Sequence, residues 1–136
     1  YGGWVRFNIQ CNNSRHMCNL KYYHGSGGGG PVTRGVIQTN RMAVIYPQAH
    51  IIASGHTHDH WIVEVAREKL YKTGRVGMDS VIHVRCGTYK DEYGDGYGGW
   101  HIERGGPPKG LGAAWLRFFV KNSSSNTIGW EVVSCK

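Results

Sequence analysis

The first regular pattern in the chain is a strict alternation. Val5, Phe7, Ile9 and Cys11 alternate with Arg6, Asn8 and Gln10. A period of two gathers the apolar side chains on one face of a strand, whereas a helix would scatter them. The period returns in WIVEV, where Trp61, Val63 and Val65 share a face, and in SVIHVRC, where Ile82, Val84 and Cys86 do. AWLRFFV and TIGWEVV flank the turn KNSSSN, a hairpin signal. A chain built this way has to form sheets. Its 21 glycines and many aromatic residues fit strands, tight turns and close backbone approaches better than a helical bundle.

Between the first and later strands lies one different stretch. CNNSRHMCN is turn-rich, and LKYYH reads as a second strand ending at His24. GSGGGGP cannot be regular structure. Thr33 to Tyr46 is expected to be a helix, with Val36, Ile37, Ala43 and Val44 on one face and Pro47 marking its end. HIIAS is short and apolar, as a buried strand is. Strand, loop, helix and strand make one β-α-β unit, for which a right-handed crossover is expected. The fold class is therefore α/β, strand-dominated, with one β-α-β unit followed by antiparallel strands. A length of 136 residues fits a single domain, 1–136.

No apolar run approaches the ~20 residues of a membrane span. The opening YGGW carries neither an initiator methionine nor a signal peptide, so the chain is expected to be processed or part of something longer. The four cysteines form no C-x-x-C pair, and nothing signals secretion. Free thiols in the cytoplasm are the expectation, although Cys11 and Cys18 are close enough in sequence for a disulfide.

Charge is distributed unevenly. Of the net +7, the first 58 residues hold +5, because they contain Arg6, Arg15, Lys21, Arg34 and Arg41 and no Asp or Glu. The first carboxylate is Asp59. A positive half of this kind suits an anionic partner, a phosphate ester or nucleic acid, and equally suits ordinary solubilising charge. GSGGGG matches G-x-G-x-x-G, but no acidic residue follows within ~20 positions to bind a ribose. G-K-[ST] is missing as well, so it is not a P-loop. Its bare backbone at Gly25, Ser26 and Gly27 reads as a flexible loop or, beside a metal, as room for a substrate phosphate. YKDEYGDGYGGW lacks calcium-loop spacing and reads as an ordered surface loop.

The stretch IIASGHTHDH places three histidines alternately after a short strand. In an open α/β sheet the C-terminal ends of neighbouring parallel strands share one edge, where ligands bind. That topology is expected to bring His24 to His56 and His58, as a metal site requires. Imidazole suits Zn, Mn, Fe or Ni. His16, His50, His83 and His101 lack this placement, and His60 is a candidate for a supporting hydrogen bond to a ligand histidine.

YYHG followed by ASGHTH resembles the C-terminal half of the calcineurin-like metallophosphoesterase signature, a strand-terminal His followed by G-H-x-H. TYKDEYGDGYGGWHIERGGPPKGLGAAWLRF is also similar to the tails of such proteins encoded by tailed phages. The resemblance implies the C-terminal half of that family's sandwich and two divalent metal ions, with His24 and His56 on one ion and His58 on the other. It also implies hydrolysis of a phosphate mono- or diester by metal-bridging hydroxide. The family's D-x-H, G-D and G-N-H-[DE] elements are absent from this sequence. The chain is therefore expected to be the C-terminal part of a phosphoesterase whose site is completed by another segment. The alternative is a non-catalytic phosphate- or nucleic-acid-binding remnant of the fold.

Overall fold

The computed structural model of the chain describes residues 1–28, 30, 32–91 and 99–135. The alternating segments form strands β1 (Gly2–Cys11), β2 (Ser14–Tyr23), β3 (Ile51–Ser54), β4 (Trp61–Leu70), β5 (Val76–Arg85), β6 (Ala113–Asn122) and β7 (Thr127–Cys135). Two helices, α1 (Gln38–Ile45) and α2 (Trp100–Glu103), complete the described elements. A five-stranded mixed sheet has the order β1-β2-β3-β5-β4, and β6 and β7 pair as a separate hairpin.

The β-α-β unit is present: β2 and β3 run parallel, with α1 between them in sequence. The β1–β2, β4–β5 and β6–β7 pairs are antiparallel. β5 also pairs in parallel with β3. It is therefore covered on both faces, as central strands of this kind are. Ile82 and Val84 lie in the core with Cys18 and Ile51, against Phe118, Leu116 and Trp130 of the hairpin. Val81 lies in a second core with Ala49 and Ile52, against Met42, Ala43 and Tyr46. The result is three layers: α1, the five-stranded sheet, and the β6–β7 hairpin.

Two expectations need correction. CNNSRHMCN is mostly strand, because β2 begins at Ser14 and only Asn12 and Asn13 turn. Asn12 accommodates the reversal with φ +51°, a conformation asparagine tolerates. The helix is shorter than 33–46, since Arg34 and Gly35 take φ of +44° and +78°, which no right-handed helix contains. Its buried face is also different. Ile37 and Val44 are exposed, while Thr39, Met42, Ala43 and Tyr46 recur at i, i+3, i+4 and i+7 against the sheet. All four cysteines are free. Burial pushes the Cys18 thiol up to about 11, so it is an inert core residue. No helix among the described residues is long and apolar enough to cross a membrane.

Candidate metal centre at the strand ends

Parallel pairing sets Tyr23 opposite Ser54. The residues that follow each strand are therefore neighbours, and Gly55 N–H donates to the His24 carbonyl at 3.0 Å. The two side chains meet above this contact. His24 Nε2 lies 3.1 Å from His56 Nδ1, with the rings edge to face at 71°.

The backbone at this junction is strained. His56 has φ +78°, and Thr57 N–H donates across it to the Gly55 carbonyl at 3.1 Å. Positive φ with an i to i+2 hydrogen bond is the rarer, strained form of γ-turn. His58 also has a positive φ, +60°. Residues held this way cost about 1–3 kcal/mol each and gather at functional sites.

A buried arginine lies beneath the turn. Arg85, at the end of β5, is 1% exposed, and its Nη1 donates to the Gly55 carbonyl at 2.5 Å. Its guanidinium lies over the Trp61 ring, whose Nε1 in turn donates to the Arg34 carbonyl at 3.0 Å. Gly25 is fitted to this arrangement. Its φ is +100°, and a Cβ there would lie 2.8 Å from the Gly55 carbonyl and 3.1 Å from Arg85 Nη1. Arg85 thus holds together the ends of β2 and β3 and the entry to α1. Arg85 Nε is buried without a hydrogen-bond partner, and no carboxylate pairs with it among the described residues.

Beside the histidine pair is a cavity of about 560 Å³, lined by Arg34, His58, Asp59, His60 and Lys109 among others. Lys109 arrives through the bridge between Thr88 and Leu111 and pairs with Asp59 at 2.7 Å, both side chains largely buried. Asp59 Oδ2 and His60 Nδ1 are buried without partners among the described residues. The cavity thus combines two cations from distant loops, a carboxylate oxygen with unused acceptor capacity, and imidazoles.

The expected site residues divide as follows. His24 and His56 are together. His58 lines the adjoining cavity, and among the described residues no three His, Cys, Asp or Glu side chains form a group able to hold a metal ion. Gly25, Ser26 and Gly27 directly follow His24, and Gly25 serves the packing of Gly55 and Arg85. His60 Nε2 bonds Ser134 Oγ at 2.7 Å, which ties the loop to β7. Arg85 and Lys109 were missed. The only trace of Arg85 in the sequence is its position on the Val81–His83–Arg85 face of an apolar strand. The carboxylates Glu92 and Asp95 of the proposed surface loop lie outside the described residues.

Two imidazole nitrogens on one tetrahedral ion, each at 2.0–2.1 Å, are about 3.4 Å apart. The observed 3.1 Å is a few tenths short of that, so replacing the shared proton by an ion requires only a small opening. The pair fits as half of a coordination shell. Compared with known proteins, the chain matches no family model, no curated protein and no solved structure.

Proposed function

We propose that the chain is the C-terminal part of a metal-dependent phosphoesterase acting on a phosphate mono- or diester. The observation that carries this reading is the His24–His56 nitrogen pair, held at 3.1 Å between parallel strand ends on a strained turn. His24 and His56 would hold one divalent ion and His58 a second, following the resemblance to calcineurin-like phosphoesterases. When bound, such ions polarise phosphoryl oxygens and acidify a water. Arg34 and Lys109 supply positive charge along the adjoining cavity, suited to orienting the ester's oxygens. Asp59 supplies the one carboxylate in that lining among the described residues. Three neutral imidazoles and one carboxylate do not balance two dications, so the reading requires further anionic ligands from another segment.

Titration of the chain with Zn or Mn against a chromogenic chelator tests the metal. His24→Ala and His56→Ala are each expected to lower affinity at least about tenfold, a loss typical of disturbing a metal shell. His16→Ala, whose ring bonds the Asn126 carbonyl, should leave it unchanged. Equal effects of all three would overturn the assignment. With a chromogenic phosphodiester, these 136 residues alone should turn over very slowly, since a positioned general acid contributes about 10²–10⁴-fold. Robust metal-dependent turnover would instead assign the missing anionic role to Asp59.

A further inference from the structure

We propose that a second site, at the far end of the sheet from the histidines, binds the phosphodiester backbone of single-stranded nucleic acid. Its origin is the shortness of β3. That strand begins only at Ile51, and the chain before it passes through Pro47–His50 without pairing as a strand. An open groove of about 590 Å³ is left between β2 and β4 on the face that α1 covers further along.

The groove is lined by Arg6 from β1, Arg15 from β2, and Arg67 and Lys69 from β4. Among the described residues Asp79 is the single carboxylate in the lining, so four cations against one anion leave +3. Asp79 is already shared between Arg67 and Lys69, at 3.1 and 3.3 Å. Burial pushes its carboxyl up, but Lys69 and Arg67 outweigh this and hold it below the usual carboxylate range. Arg6 and Arg15 belong to no ion pair among the described residues. Register places both on one face, since Arg6 is opposite Asn19, and Arg15 is four residues from Asn19 on β2.

The spread of charge identifies the ligand. At about 3.3 Å per residue and 4.8 Å per strand, the cations cover about 13 Å along the strands and about 14 Å from β2 to β4. One phosphate meets only part of that area, whereas successive phosphates of a strand meet all of it. Three of the four cations are arginines, whose planar fork matches phosphate oxygens. Met17 lines the same groove at 53% exposure and offers an apolar surface to an unstacked base. The wall is fixed in place, because Asn19 and His50 bond each other twice, both at 2.9 Å. The groove is remote from the proposed metal centre. From Arg15 to His24 is nine residues, about 30 Å along the strand. The proposal therefore stands whether or not the metal site does.

Anisotropy of a labelled oligothymidylate, followed across a salt series with the whole chain, tests the site. Each neutralised phosphate of a single strand contributes about 0.7 to the slope of log K against log salt. The pair Arg6→Gln with Arg15→Gln is expected to weaken binding by tenfold or more and to lower the slope by about 1.4. Arg15→Gln alone should give half of that slope change, which keeps the test valid if the double variant folds poorly. Arg41→Gln, on the exposed side of α1, should change nothing. Absence of binding at low salt would overturn the proposal. So would a loss from Arg34→Gln as large as that of the pair, or displacement of the oligonucleotide by polyglutamate at equal charge.

Discussion

The two ends of the helix-covered sheet face are built on opposite principles. At the C-terminal end of β3 the backbone is under strain, with positive φ at His56 and His58, and a guanidinium is sealed beneath it at 1% exposure. At the N-terminal end the strands are regular, and the cations of β1 and β2 are exposed to solvent. The first end holds the His24 and His56 nitrogens 3.1 Å apart on a turn braced by a buried guanidinium. The second sets up a field with cations spread along the strands, Arg6 and Arg15 reaching into solvent. Metal chemistry requires the first kind of order, because ligand geometry is unforgiving. Backbone binding to a polyanion requires only the second, because its energy comes from released counterions.

Removing Arg85 is the most severe test of the contrast. Arg85→Ala deletes a fully buried side chain and leaves the Gly55 carbonyl with only its Thr57 donor. It should cost about 3 kcal/mol or more in chemical denaturation. Arg85→Met keeps most of the volume and removes a buried charge, and such exchanges are often close to neutral. Met cannot donate to Gly55, so metal affinity should remain low after stability has recovered. If Arg85→Met regained full metal affinity, Arg85 would be filler and the histidine end would not be preorganised by it.

A smaller effect, of opposite sign, is expected at His56. Glycine adopts positive φ without penalty, so His56→Gly should relieve the γ-turn and stabilise the fold by about 1 kcal/mol. The same change removes one nitrogen of the pair and with it metal binding. Stability rising while affinity falls is the mark of strain kept for function. A loss of stability would show that the hydrogen bond to His24 outweighs the strain, and the turn would then be structural.

The readable parts of this fold were those with a local cause. Alternation at Val5 to Cys11 and at Trp61 to Val65 announced strands because a half-buried strand has to alternate. The apolar run before G-H-x-H announced the end of a strand, and parallel pairing with β2 then placed His56 beside His24. The helix boundary was obscured because Arg34, an ordinary helix residue, takes a positive φ only in its tertiary setting. The Asp59–Lys109 pair joins loops 50 residues apart, and no spacing rule reaches that far. The five early cations could be read in the sequence either as one surface or as scattered solubilising charge. Arg6 and Arg15 line the groove while Arg34 lines the cavity beside the histidines, and Lys21 is occupied by the Trp4 and Tyr46 rings.

The finest comparison is between two histidines, one at each end. Burial lowers the pKa of both His83, beneath α1 at 3% exposure, and His50, in the basic groove. At His83 the charge of Arg67 adds to the effect. At His50 Asp79 opposes it while Lys69 and Arg67 reinforce it. Neutral His50 is also what its geometry demands, since Nδ1 accepts the Asn19 amide. Both folded values therefore lie below the unfolded value of about 6.5. Above that pH both states carry neutral rings, and the full stability is present. As pH falls below it the unfolded chain protonates first, so stability declines until the folded-state values are passed. Thermal melts should accordingly be flat from neutrality to about pH 8, where the thiols raised by burial begin to count, and fall through the mildly acid range. His83→Leu should remove part of that fall. The response to a polyanion then separates the two ends. Oligonucleotide bound in the groove brings negative charge beside His50 and should raise its pKa in an NMR titration, while His83, sealed under α1, should stay where it was. Equal movement of both, or of neither, would mean that the bound strand does not lie in the groove.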